Sequence, residues 1–72
     1  MKMQMIVARN LKKIRVQREL SQENLAVDAG IDRTYVSRIE RGLENPTVAV
    51  LEKLADALNA KIEEFFYYPL SF

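Results

Sequence analysis

The sequence contains neither cysteine nor histidine. Without cysteine, this chain of 72 residues can form no disulfide and no thiolate metal site. Histidine is the commonest general base near neutral pH and the commonest metal ligand, so its absence argues against an enzyme and against a metalloprotein. We therefore expect no catalytic residues, no metal and no cofactor.

Long apolar runs are also missing. The longest near the N-terminus, Met5–Ala8, is too short for a secretion signal or a membrane span, which favours a cytoplasmic protein. The length suits one domain over residues 1–72. A chain of this size buries only about 60% of the surface that its unfolded form exposes. Its core is therefore thin, and a partner subunit would help to stabilise it.

Glycine and proline occur only twice each, and apolar residues recur at three- and four-residue intervals. This periodicity predicts an all-α protein. We predict five helices, at about residues 3–18, 22–29, 33–41, 48–58 and 62–66.

The second and third predicted helices are short and adjoin at a tight turn. Ser21 and Asp32 are suitable N-caps for them, and Gly30 and Gly42 suit the left-handed conformation in which helices commonly end. The pair is therefore a candidate helix-turn-helix, although short helix pairs are common.

The charge is unevenly distributed along the chain. Residues 1–41 carry nine basic and five acidic side chains, whereas residues 42–72 carry two basic and five acidic ones. A basic half favours a polyanionic partner. The charge distribution alone is equally consistent with an ordinary helix surface exposed to solvent.

A more specific pattern is carried by Leu20-Ser21-Gln22, Leu25-Ala26, Gly30-Ile31, Val36-Ser37, Ile39-Glu40-Arg41-Gly42, Pro46, Leu51 and Leu54-Ala55. In type and spacing these residues resemble the DNA-binding domain of the phage Cro/C1 repressor superfamily, also called the Xre family, over about residues 7–66. The resemblance implies a compact five-helix lambda-repressor-like domain with its helix-turn-helix at helices 2 and 3. The run from Asp32 to Gly42 is also similar to the controller proteins of restriction–modification systems, which are small dimeric autoregulators.

One residue departs from the family pattern. Glu19 stands where the family usually has a glycine in left-handed conformation at the end of the first helix. Glutamate in that conformation costs on the order of 1 kcal/mol. We therefore expect either a rearranged turn or a slightly longer first helix.

The outward side of helix 3 follows from helical geometry once Val36 and Ile39 are placed in the core. It carries five residues, none of them acidic: Arg33, Thr34, Ser37, Arg38 and Arg41. Arginine can donate two hydrogen bonds to guanine, and a threonine methyl group can contact thymine. We predict that the first four read bases in the major groove and that Arg41 holds a phosphate.

Further residues are predicted to contact the DNA backbone. Gln22 lies in the first turn of helix 2, where free N–H groups favour an anion, and in the family the matching glutamine holds a phosphate. Lys12 and Lys13 on the first helix are the other candidates. Tyr35 has two possible roles: it half-buries against the first or fourth helix, or it touches the DNA backbone as in the controller pattern.

Arg15 and Glu40 each flank an apolar stripe, four residues after Leu11 and Val36 respectively. In the family these two positions form a partly buried ion pair between the first and third helices. Its expected role is to fix the orientation of the recognition helix rather than to add much stability. The alternative is two unrelated surface charges.

The C-terminal segment 65–72 holds five of the six aromatic residues. Its apolar side chains are Phe65, Phe66, Tyr67, Tyr68, Leu70 and Phe72. Because exposed apolar patches mark interfaces, we expect these residues to form a symmetric homodimer contact. The alternative is a tail that folds back over the first helix.

These observations favour a sequence-specific DNA-binding transcriptional regulator that acts as a homodimer on double-stranded DNA with a pseudo-palindromic operator. An autoregulator of the controller or phage-repressor kind fits best. The alternative is an antitoxin or adaptor that uses the same fold to bind a protein partner. The acid-free outward side of helix 3 argues against a loss of DNA binding.

Overall fold

The computed structural model describes residues 2–68. All regular secondary structure in this range is helical, as the periodicity predicts. The elements are α1 (Met3–Gln17), α2 (Gln22–Ala29), α3 (Arg33–Glu40), α4 (Val48–Leu58) and a 3₁₀ helix (Ile62–Phe66). The predicted count of five α-helices is therefore too high by one.

The last element is a short 3₁₀ helix of five residues. Its first hydrogen bond runs from Glu64 N to Lys61 O at 2.9 Å, an interval of three residues. The Glu64 side chain also accepts a hydrogen bond from Lys61 N at 2.7 Å, which caps the turn. Such i to i+3 bonding is typical of short helical pieces.

The helix N-termini are capped where the sequence predicts. Ser21 Oγ accepts a hydrogen bond from Asn24 N at 3.0 Å. Asp32 Oδ1 accepts one from Thr34 N at 2.7 Å. Each cap satisfies a backbone donor that the helix itself leaves unpaired, so the start of each helix of the helix-turn-helix is fixed.

Each of the four α-helices in the described residues is followed, one or two residues after its last residue, by a residue with positive φ: Glu19 (58°), Gly30 (69°), Gly42 (73°) and Asn59 (52°). After α1, Leu20 N donates to Arg15 O at 3.2 Å and Glu19 N donates to Val16 O at 2.9 Å, the two bonds of a Schellman motif. Glu19 thus adopts the conformation that the family gives to glycine. Both expected outcomes, a rearranged turn and a longer helix, are wrong.

One hydrophobic core joins all the elements. The apolar side chains that face inward on the α-helices are buried, including Leu11, Leu25 and Leu54, and Val36 and Ile39 lie in the core as predicted. Phe65 of the 3₁₀ helix is fully buried in the same core. The prediction of Phe65 as a dimer-interface residue is therefore wrong, because its ring fills the protein's own interior.

An ion pair connects α1 to the helix-turn-helix. Arg15 Nε donates to Glu40 Oε2 at 2.6 Å, and Arg15 Nη2 donates to Glu40 Oε1 at 3.0 Å. The side chains are 12% and 3% exposed, so the pair is largely removed from water. Arg15 Nη1 also donates to Leu20 O at 2.7 Å, which ties in the turn before α2.

The backbone strain at Glu19 gives a stability prediction. Glu19→Gly should raise the free energy of unfolding by about 0.5–1 kcal/mol, because glycine adopts positive φ without steric cost. Urea denaturation measures this change in the free energy of unfolding, and the m-value should be the same for both proteins.

Gly30→Ala is the matched control for this change. A Cβ at Gly30 would meet no atom within 4 Å, so only the positive φ of 69° opposes the substitution. This variant should lose about 1 kcal/mol of stability. If Glu19→Gly lowers stability as well, the glutamate side chain makes a contribution that outweighs the strain.

Candidate nucleic-acid interface

The N-terminal end of α3 is the exposed part of the helix-turn-helix. Arg33 and Thr34 are exposed there, and Arg41, which caps the other end of the helix, is exposed as well. Ser37 and Arg38 are partly buried between them. The first turn of α3 therefore presents a guanidinium and a hydroxyl group to solvent, both suited to contacts with base edges.

Two carboxylates from other segments approach this side of α3. Arg38 Nε donates to Glu44 Oε2 at 2.7 Å, and Arg33 Nη1 lies 4.0 Å from Glu23 Oε2. Helix α3 itself has no acid on its outward side, as predicted, but the interface is not free of acid. Glu44 is not among the residues predicted from the sequence, because it lies six residues beyond Arg38 and returns to its side only through the turn at Gly42.

Gln22 joins the ion pair instead of standing alone in the first turn of α2. Its Nε2 donates to Glu40 Oε1 at 3.0 Å. Glu40 thus accepts hydrogen bonds from α1 and from α2 while it belongs to α3. One amide hydrogen of Gln22 is engaged by this bond, so the orientation of the amide is fixed at the N-terminus of α2.

The two lysines of α1 differ in their surroundings. Both are exposed, but Lys13 lines an open groove of about 360 Å³ between α1 and the 3₁₀ helix, together with Glu63 and Glu64. Lys12 precedes Arg15 by three residues and so shares the side of α1 that carries the ion pair. Lys12 therefore lies toward the helix-turn-helix, and Lys13 lies toward the 3₁₀ helix.

Tyr35 is partly buried and packs against the core cluster. This is the placement expected of a tyrosine that supports α3 from within. Its residual exposure, next to Thr34 in the chain, leaves part of the side chain at the surface of the helix-turn-helix.

The described part of the aromatic segment lies along α1. Asn10 Nδ2 donates to Phe65 O at 2.8 Å and to Tyr67 O at 2.7 Å, and Arg9 Cζ lies 5.6 Å from the centre of the Tyr68 ring. The segment thus folds back over the first helix, which was the alternative to an interface. Phe66, Tyr67 and Tyr68 nevertheless remain exposed. Leu70 and Phe72, also predicted for the interface, lie outside the described residues.

Asn10 is a positioning residue that is not among those predicted from the sequence. In the part of the chain that the structure describes, it is the one polar residue that is buried as a whole, backbone included. Its position, three residues after Val7 and next to Leu11 on the apolar stripe of α1, is the pattern that could have revealed it, because a buried amide requires hydrogen-bond partners.

Within residues 2–68, no group of three or more carboxylates is placed to hold a metal ion. No helix in that range has the length and apolar character needed to cross a lipid bilayer. The chemistry that this surface offers is hydrogen bonding and ion pairing from arginine, threonine, serine and glutamine side chains.

Comparison with known proteins places this geometry in a family. The family model described as helix-turn-helix matches residues 11–65. A relative described as a hypothetical transcription factor, from Neisseria meningitidis serogroup B, is 39% identical over 64 residues, or 89% of this chain. The chain spans 60% of the length of that relative.

Two solved structures of restriction–modification controller proteins are similar in fold. C.AhdI from Aeromonas hydrophila is 38% identical, with a TM-score of 0.85 over 88% of this chain and 96% of that one. C.Esp1396I, solved as a tetramer in complex with its natural 35 base-pair operator, is 36% identical, with a TM-score of 0.83 over 92% of this chain and 87% of that one. The resemblance found in the sequence is thereby confirmed, and the chain belongs to the Cro/C1-type helix-turn-helix family.

Proposed function

We propose that this chain is a sequence-specific DNA-binding transcriptional regulator that acts as a homodimer on a pseudo-palindromic operator. The observation that carries the proposal is the exposed first turn of α3, with Arg33 and Thr34 at its tip, on a helix whose other end is fixed by the buried pair of Arg15 and Glu40. A rigidly held helix with exposed donors at its N-terminus is what major-groove recognition requires.

The contacts with DNA divide into two kinds. Arg33, Thr34, Ser37 and Arg38 read base edges. Gln22 and Lys12, with Arg41, hold phosphates and so set the position of α3 in the groove. Tyr35 adds a backbone contact from the exposed part of its ring. Lys13 is the weaker candidate for a phosphate contact, because it shares its groove with Glu63 and Glu64.

The homodimer is supported by the exposed aromatic side chains of Phe66, Tyr67 and Tyr68. Three adjacent apolar residues at the surface of so small a domain are typical of an interface. The operator complex of C.Esp1396I is formed by a tetramer, which supports assembly on DNA in this family. We place the interface on these aromatics together with α4.

An autoregulatory role of the controller kind is the most specific form of this proposal. The similarity in fold to two restriction–modification controller proteins supports it. A regulator of this kind catalyses no reaction and acts in the cytoplasm, where the DNA of a prokaryote lies.

Base contacts and phosphate contacts should leave different thermodynamic signatures. Arg33→Ala should lower the ratio of affinities for operator and shuffled DNA by about 5-fold or more, because it removes a base contact. Lys12→Ala should weaken binding to both duplexes and reduce the salt slope by about one counterion. Gln22→Ala should weaken both without changing the slope, because glutamine carries no charge.

Titration at several salt concentrations measures these effects, with a duplex selected by the wild-type protein from a randomised pool as the operator. Lys13→Ala is the control for Lys12→Ala and should leave the salt slope nearly unchanged. If Arg33→Ala and Arg38→Ala both preserve the ratio of affinities, α3 does not read the bases.

Association should depend on the exposed aromatics. Phe66→Ala combined with Tyr67→Ala should shift the monomer–dimer equilibrium toward monomer, because it removes apolar area from the interface. Sedimentation equilibrium measures this shift. Val27→Ala, at a still more exposed apolar site on α2, should leave it unchanged. A wild-type protein that remains monomeric at high micromolar concentration would exclude the proposed dimer.

A further inference from the structure

The loop between α3 and α4 places one carboxylate against a predicted base-reading arginine. Glu44 Oε2 accepts a hydrogen bond from Arg38 Nε at 2.7 Å. The two side chains are 33% and 43% exposed, so the contact is partly shielded from solvent. A charge-assisted hydrogen bond of this length restrains a guanidinium more than an ion pair without a hydrogen bond does.

The geometry of the contact leaves part of the arginine available. A guanidinium has five N–H donors in a fixed plane, and Glu44 engages the donor at Nε. The donors at the terminal nitrogens are those that form the paired hydrogen bonds to guanine O6 and N7. Holding the Nε side therefore restrains the plane of the guanidinium while donors remain for a base.

The charge of Glu44 acts in a second way. A free arginine beside DNA is attracted to any phosphate, whatever the sequence. The carboxylate of Glu44 offsets the positive charge of Arg38 and repels phosphate oxygens. Both effects weaken sequence-independent binding more than they weaken hydrogen bonding to a correctly placed base.

We propose that Glu44 is a specificity-determining residue, which orients Arg38 toward base edges and keeps it from acting as a phosphate contact. This inference rests on the proposed function, because it requires that α3 reads DNA. Glu44 itself is a positioning residue, since it acts through Arg38.

Glu23 provides a matched comparison within the same chain. Its Oε2 lies 4.0 Å from Arg33 Nη1, beyond hydrogen-bond length, and the side chains of Arg33 and Glu23 are 68% and 63% exposed. Such a contact is too weak to hold a guanidinium in place. Loss of Glu23 thus removes one negative charge near the same surface without releasing a restrained arginine.

The test compares Glu44→Ala with Glu23→Ala on two duplexes: the one selected by wild-type protein from a randomised pool, and a shuffled duplex of equal composition. Glu44→Ala should raise the affinity for shuffled DNA several-fold and steepen its salt slope by about 0.9, the value for one added phosphate contact. The operator-to-shuffled ratio should fall at least 3-fold. Glu23→Ala should raise both affinities by the same factor and leave the ratio unchanged.

The Arg38→Ala background shows whether the effect passes through Arg38. In that background, Glu44→Ala should leave the ratio unchanged, and circular dichroism should show the same helical content in every variant. An unchanged ratio in the single Glu44→Ala variant overturns the inference, and so does an equal fall of the ratio with and without Arg38. If the wild-type protein selects no sequence and binds all duplexes equally, the proposed function itself fails, which is a different result.

Discussion

The paired hydrogen bonds between Arg15 and Glu40 are the interaction on which the arrangement of the helices depends. Glu40 belongs to α3, Arg15 belongs to α1, and Gln22 of α2 donates to the same carboxylate. One nearly buried charge on α3 thus accepts hydrogen bonds from α1 and α2, which links the three helices that must keep a fixed relation during DNA binding. Because an unpaired carboxylate 3% exposed would be strongly unfavourable, arrangements that separate these groups are excluded.

The same network accounts for the unusual residue at the end of α1. Arg15 Nη1 donates a hydrogen bond to Leu20 O at 2.7 Å, and Leu20 N donates one to Arg15 O at 3.2 Å. These two bonds join the residues before and after Glu19 and so fix the turn between them. Glu19 must then adopt a positive φ, although glutamate disfavours it. These hydrogen bonds between residues five apart impose the backbone conformation against the preference of glutamate, and the strain is about 1 kcal/mol.

Local rules were sufficient to predict most of the fold. The bounds of α2, the caps at Ser21 and Asp32, and the apolar faces of the helices follow from residue preferences and periodicity, which act within a few residues of the chain. Phe65 and Glu44 could not be placed in this way. The burial of Phe65 depends on how a single 3₁₀ turn packs onto α1, and the pairing of Glu44 with Arg38 depends on the path of a loop.

For the interface, the sequence predicted which residues of helix 3 point outward but not what surrounds them. Helical geometry gives the outward side of α3 because that side is the complement of Val36 and Ile39. Geometry within one helix contains no information on Glu23, Glu44 or the bond from Gln22 to Glu40, all of which come from other elements. The outward residues of α3 are therefore predictable from the sequence, whereas the side chains from other elements that contact them are not.

We infer that the pair of Arg15 and Glu40 orients the recognition helix rather than stabilising the domain. The most direct measurement is the free energy of unfolding and the operator-to-shuffled affinity ratio of the double variant Arg15→Met with Glu40→Leu. Apolar residues of similar volume should keep the stability within about 1 kcal/mol of wild type. The affinity ratio should nevertheless fall substantially, because α3 is no longer fixed. A double variant that retains the affinity ratio, or one that fails to fold, would contradict this role of the pair.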